Sequence, residues 1–343
     1  MTSSSIQVGA SSQYQGIADD TLKDKDNGLW LSCFSKQTQG PWLQRFSWLR
    51  HLDRLAEQDQ LIYPGGCQFS AFHQGWQHLL QGRQRVPACD QWNILDEIYR
   101  VWLSPDKGDH CEAELQGWTR YVEAIVDYHQ PALQLQTLQD YDMMLDRLAG
   151  SCFQFLPGLH PDDRDIARYF GMVDQCYNNL RDLHEDACQG VCYFPTDLLQ
   201  RFQVTLAEIL DFTCFDNPGY YRLMEFWLRD YLPRLQSQAL SLILSDRLPR
   251  TWQYLLAWFI HRYRRLERVM AACNYNFVQF SSIYWDVVQQ DLWQYAGKHS
   301  HLLSRGLTQQ YDSIRSLVLA GQCPFTAPSV LEDAGLCQPR TVG

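Results

Sequence analysis

Between Phe170 and Pro195 the chain reads FGMVDQCYNNLRDLHEDACQGVCYFP. On a helix of 3.6 residues per turn, Gln175, Asn178, Asp182, Glu185 and Asp186 fall on one side. Met172, Val173, Cys176, Leu180 and Leu183 fall on the other. A polar stripe is the ordinary solvent face of a surface helix, but this one holds acids, amides and a single Arg181, with no lysine. Asp182 and Asp186 project side by side at a four-residue spacing, where like charges repel. A cation between them would relieve that repulsion, and an all-oxygen donor set favours Mg²⁺. Spacing alone leaves both readings open, a metal site and a solvated face.

Such a stripe needs a helix to carry it and other helices to face it. Apolar periods of helical type alternate with Pro/Gly breaks along most of the chain, and period-2 alternation is rare. Helices are expected over 41–58, 70–82, 91–103, 113–130, 135–156, 162–187, 196–212, 219–244, 248–272, 277–297 and 300–320. The breaks include Pro64-Gly65-Gly66, Pro105, Pro157-Gly158, Asp216-Asn217-Pro218-Gly219 and Pro249. The fold class is therefore all-α, a single domain of about ten helices, an architecture that places sites between facing helices. Residues 1–26 are polar and serine-rich and read as a disordered tail, 27–322 as the domain, and 323–343 as a loose C-terminal tail.

The 343 residues carry a net charge of -10, which argues against nucleic acid as a partner. The 12 cysteines form no CxxC pair, and no histidine completes a zinc pattern around Cys188 and Cys192, so reduced thiols in a cytoplasmic protein are expected. The apolar run Tyr254 to Ile260 is too short to span a bilayer.

The wording of the acidic helix adds to its spacing. Gln175-x-x-Asn178-x-x-Arg181-Asp182-x-x-Glu185-Asp186, followed by Gly190 and Tyr193-Phe194-Pro195, resembles the second acidic motif of the squalene/phytoene synthase family. The resemblance covers roughly residues 29–275 and implies an all-α isoprenoid synthase domain around a central cavity. In that family a second helix supplies an early motif of the form Arg-x-x-Asp-Asp-x-x-Asp. The matching stretch is FSWLRHLDRLAEQ, with Arg50, Asp53 and Glu57 in register, Arg54 at the middle acid and Glu in place of the last Asp. The resemblance implies Mg²⁺ held by Asp53, Glu57, Asp182 and Asp186, substrate contacts from Gln175 and Asn178, and catalytic roles for Arg50, Arg181 and Tyr141.

Tyr141 and Gly150 match the family's middle helix, where a small-residue pair becomes Asp146-Arg147; that change predicts a reshaped cavity or a different packing face. The turn after the second motif, usually basic, is Cys188, Gln189 and Val191. Arg262, Arg264, Arg265 and Arg268 read as an exposed cationic helix face, with diphosphate or peripheral membrane contact as the alternatives. The implied reaction is head-to-head condensation of two prenyl diphosphates, with NADPH as a candidate reductant. A half-reaction enzyme of hydroxysqualene type, prenyl transfer to another acceptor, and a non-catalytic relative acting in binding or assembly are the rival readings.

Overall fold

The computed structural model describes residues 25–57, 59, 67–82, 92–104, 111–130, 133–296 and 300–326. The Pro64-Gly65-Gly66 and Pro105 breaks, residues 1–24 and residues 327–343 lie outside the described residues. Within them the expected helices form and no strand does. The chain enters through a 3-10 segment, Lys25–Cys33, around Leu29-Trp30-Leu31-Ser32. Then come α1 (Lys36–Ala56), α2 (Gln68–Leu80), α3 (Trp92–Ile98) and α4 (Glu112–Tyr128). The middle helix follows as α5 (Leu138–Leu145), a π turn (Asp146–Gly150) and α6 (Ser151–Phe155). The acidic segment forms α7 (Pro161–Arg181) and α8 (Leu183–Cys188). After it run α9 (Thr196–Phe202), α10 (Leu206–Leu210), α11 (Pro218–Phe226), α12 (Leu232–Leu244), α13 (Arg250–Ala272), α14 (Phe277–Ala296) and α15 (Ser300–Leu319).

The starts and stops follow local chemistry. His160 caps α7 and Pro161 occupies its first turn, where a missing N–H costs nothing. Thr137 and Asp140 form a reciprocal capping box at the start of α5. Asn217 caps α11 ahead of Pro218. The segment expected as one helix over 196–212 breaks at Gln203, which adopts a left-handed φ of 59° and ends α9.

Helix α7 is the hub. It packs against α12, the π turn and α6, while α13 lies against α15 and α7. The crossing with the middle helix depends on Gly171, because a Cβ there would overlap the Ala149 carbonyl and press on the Phe153 ring. Gly171→Ala is therefore expected to cost about 1–3 kcal/mol or more through overpacking at an unyielding backbone. A urea denaturation midpoint equal to that of wild type would show that the crossing can relax.

On the other side of the middle helix, Trp118 meets Phe155 at 5.3 Å and Trp48 meets Trp102 at 5.2 Å, both edge-on. These buried rings tie α1, the π segment Tyr99–Leu103 after α3, α4 and α6 together, since edge contacts suit the ring quadrupoles and bury large apolar areas. Phe153 and Phe170 likewise pack on one another in the core, at 5.8 Å.

Two boundaries differ from those expected. Asp26, assigned to the tail for its polar surroundings, is 1% exposed and paired with arginines of α13. Phe325, assigned to a loose tail, is fully buried against Phe170 and Tyr263. In both cases the partners are distant in sequence, so local composition carries no sign of them.

Candidate active site

Helix α1 buries Trp48, Leu52, Leu55 and Ala56 and leaves Asp53 and Glu57, one turn apart, partly exposed. Asp53 does not form the local ion pair of a solvated helix. Its Oδ1 accepts a hydrogen bond from the Tyr121 hydroxyl of α4 at 2.5 Å. Burial, followed by the charges of Asp53 and, more weakly, Glu57, pushes the Tyr121 phenol well up, so it stays a donor. Tyr121→Phe is expected to remove about 1.5–3 kcal/mol of stability, the usual worth of a hydrogen bond to a charged group. An unchanged urea midpoint would mean that water replaces the phenol.

His129 closes α4, and its Nδ1 is buried with no partner among the described residues. Burial lowers its pKa while the Asp53 charge opposes the shift.

The acidic helix is broken at Asp182, whose φ of -90° and ψ of 2° separate α7 from α8. Arg181, 7% exposed, donates to both Asp182 carboxylate oxygens, at 2.6 and 2.7 Å. Asp186 is partly exposed, whereas Glu185 is exposed. Gly190 turns the chain with a φ of 76°, after which Tyr193 returns to the acids. Burial raises the Tyr193 phenol first; the charges of Asp186, Asp182 and Glu57 then add to the rise. One hydroxyl thus senses the acid at the end of α1 and both acids at the α7–α8 break. A second link lies deeper. The Cys152 thiol of α6 is pushed well up by burial, then by Asp53 and by Asp174 of α7. Glu57 of the first acidic segment and Asp182 and Asp186 of the second thus all act on the Tyr193 hydroxyl.

Several expected residues are placed differently. Gln175 donates to Asn179 at 2.8 Å, and Asn179 donates to the Tyr141 hydroxyl at 3.1 Å, so Gln175 and Tyr141 belong to one hydrogen-bond chain. Asn178 belongs to another and donates to Asp174 at 3.1 Å. Arg50 is partly buried, and its Nε has no partner among the described residues. The Asp146-Arg147 pair forms a packing face built on ion pairs. Asp146 pairs with Arg120 and Arg168, and Arg147 pairs with Asp127 at 2.6 Å.

The arginines of α13 do not form an exposed cationic face. Arg262, Arg264 and Arg265 are 4%, 8% and 0% exposed, and only Arg268 of the four is exposed. Arg262 and Arg265 bind Asp26, and Arg264 binds the Pro324 carbonyl. Buried partners supplied by both ends of the chain explain the difference.

Sequence reasoning missed Asp174, Tyr121 and Tyr263, and placed Arg262 on the surface. Asp174 accepts from the Tyr263 hydroxyl at 2.9 Å and lies 4.0 Å from Arg262. Its one sequence signal is the four-residue spacing to Asn178. Two cavities lie away from the paired acids. One of about 260 Å³ is lined by Leu135, Cys192, Phe194 and Leu199, and one of about 340 Å³ by Asp142, Met172, Tyr231 and Arg234.

Among the described residues no three carboxylate, histidine or cysteine side chains close on one point. This is not the cage of a structural metal. Mg²⁺ instead keeps much of its water and takes one or two carboxylates together with phosphate oxygens. Glu57, Asp182 and Asp186, whose charges all bear on the Tyr193 hydroxyl, are oxygen donors of the type such an ion takes.

The sequence model of the squalene/phytoene synthase family matches residues 22–289. Among solved structures, the chain resembles a dehydrosqualene synthase crystallised in complex with ligand. Identity is 17% and the TM-score 0.56, over 78% of this chain and 93% of that one. It also resembles a squalene synthase HpnC from Alicyclobacillus acidocaldarius, at 15% identity and a TM-score of 0.49, over 77% and 88% of the two chains. The first likeness shows a common fold. No curated protein sequence matches the chain. Among the described residues no helix is long and apolar enough to cross a membrane.

Proposed function

The chain belongs to the squalene/phytoene synthase family, and from that premise we propose that it joins two prenyl diphosphates head to head with the help of Mg²⁺. The family's enzymes transfer prenyl groups in isoprenoid biosynthesis. The observation that supports the reading is that the charges of Glu57, from the first acidic segment, and of Asp182 and Asp186, from the second, all bear on the Tyr193 hydroxyl. Asp53, Glu57, Asp182 and Asp186 would hold the ion, which when bound stabilises a departing diphosphate as a Lewis acid. Arg181, bonded to Asp182, and Arg50, one turn before Asp53 on α1, are the cations that would balance a diphosphate. A diphosphate needs such charge as its C–O bond breaks.

Tyr141 is buried beneath Trp227 and Tyr231 and kept protonated, so its hydroxyl serves as a donor that orients substrate or passes on a proton. Phe170, Phe259 and Tyr263 form an aromatic wall, and such faces stabilise allylic cations while excluding water.

The test is incubation of the purified chain with Mg²⁺ and farnesyl or geranylgeranyl diphosphate, with and without NADPH. Diphosphate release and extracted lipid are followed together. Release tied to a coupled C30 or C40 product supports the reading. No release with either donor overturns it.

A further inference from the structure

The larger cavity, about 340 Å³, opens between α5, α7 and α12. Leu138, Met172 and Leu235, one residue from each helix, give it apolar walls. Two opposite charges share the lining, Asp142 of α5 and Arg234 of α12. Tyr231, 1% exposed, ties them together. Its hydroxyl donates to Asp142 Oδ1 at 2.5 Å, and the Arg234 guanidinium carbon lies 5.4 Å from its ring centroid. The ring is itself held edge-on by Trp227 at 4.7 Å and by Tyr141 at 5.8 Å. Tyr231 closes a π turn, Trp227–Tyr231, a helix distortion that often marks functional sites.

One buried ring thus fixes an anion and a cation at the same opening. Among the described residues neither charge is taken up by an ion pair, with the other or with a third group. An ionised carboxylate accepts about four hydrogen bonds, of which Tyr231 fills one, and a guanidinium offers about five donors. The chemistry of an occupant follows from these charges. An anion alone meets repulsion from Asp142, and a cation alone meets it from Arg234. A neutral apolar molecule would strip water from both charges and return nothing. A molecule with an ammonium and a carboxylate on one carbon, and an apolar side chain, answers both charges and the walls. Ionised partners make the strongest hydrogen bonds, and a guanidinium can grip a carboxylate with two. The volume lies within the range of small-molecule sites.

We propose that this cavity binds a free α-amino acid with an apolar side chain. Its ammonium lies on Asp142, its carboxylate on Arg234, and its side chain against Leu138, Met172 and Leu235. Through Tyr231 the ligand sits one ring away from Tyr141. Binding of this kind needs neither diphosphate nor metal, so the inference goes beyond the prenyl-diphosphate reading and does not depend on it.

The experiment is isothermal titration calorimetry of the full chain with L-leucine as the probe. It is run beside N-acetyl-L-leucine, which lacks the ammonium, and L-leucinamide, which lacks the carboxylate. Wild type is expected to bind L-leucine and to bind each blocked form at least about tenfold more weakly, the loss of a hydrogen bond between charged groups. Asp142→Asn can still accept from Tyr231, and Arg234→Gln changes an exposed position. Each is expected to weaken L-leucine at least about tenfold while leaving the urea midpoint near that of wild type. The losses should also cross: Asp142→Asn should no longer distinguish L-leucine from its N-acetyl form, and Arg234→Gln should no longer distinguish it from its amide. Should a variant fail to fold, the three ligands on wild type still decide. No binding of L-leucine, equal binding of either blocked form by wild type, or an affinity unchanged in either folded variant overturns the inference and leaves the prenyl-diphosphate reading intact.

Discussion

Replacing Asp182 and Asp186 together by alanine is expected to cut enzyme-dependent diphosphate release at least 10²-fold. The magnitude follows from what single preorganised groups contribute to developing charge, about 10²–10³ in rate. Here two of the three carboxylates whose charges bear on Tyr193 are lost. The two do not play equal structural parts. Asp182 is held by Nε and Nη2 of a buried Arg181, so its removal leaves a guanidinium that must find other acceptors. Asp174 already feels the Arg181 charge. Some stability loss, about 1–3 kcal/mol, is therefore expected from Asp182→Ala. Asp186 is partly exposed on a short helix, and Asp186→Ala should leave the thermal midpoint close to wild type. The single variants thus separate chemistry from folding. Release that survives Asp186→Ala at the wild-type rate, with tight Mg²⁺ dependence retained, would sink the role given to that carboxylate.

The parts of this molecule that were legible in the sequence are those specified locally. Helical periodicity and proline or glycine breaks placed nearly every helix, because each helix buries its own apolar face and each break is a backbone property of one or two residues. The second acidic motif was legible because its residues lie within one stretch of α7 and α8. What faces that motif was not. The Tyr121 donor to Asp53 lies 68 residues from it, and Tyr263 lies 89 residues from Asp174. The same limit explains the arginines of α13. An Arg-rich helix reads as solvated until its carboxylates are located, and those of Arg262 and Arg265 include Asp26, more than 230 residues away. The role of Asp146 and Arg147 was likewise out of reach, because their partners Arg120, Arg168 and Asp127 lie 20 or more residues away.

Loss of the Asp26 carboxylate is expected to be the most destabilising change of a single charge in this chain. Asp26 accepts from Arg262 Nε at 2.9 Å and from Arg265, while Arg265 also donates to Asp291 at 2.8 Å. The Asp26 carbonyl accepts from Trp258 at 2.5 Å. Two arginines and two aspartates thus balance in a place without water. Such a cluster is a weak source of net stability when whole, yet removing one partner strands a buried charge and costs about 3–5 kcal/mol. Asp26→Ala should lose that amount in urea denaturation at pH 7, whereas a loss below about 1 kcal/mol would mean that Arg262 and Arg265 find full compensation elsewhere.

The pH dependence has a fixed sign. Burial by itself would raise both carboxyls, but Arg265 and Arg262 outweigh it at Asp26, and His261 and Arg265 outweigh it at Asp291, so both are held below the usual range. Their contribution is fully present above the unfolded carboxylate pKa of about 3.9 and is lost as pH falls through the folded values. The gap between wild type and Asp26→Ala should therefore be constant from pH 5 to 7 and narrow in stronger acid. Arg262 also lies 4.0 Å from Asp174, so a guanidinium released from Asp26 is drawn toward that second carboxylate.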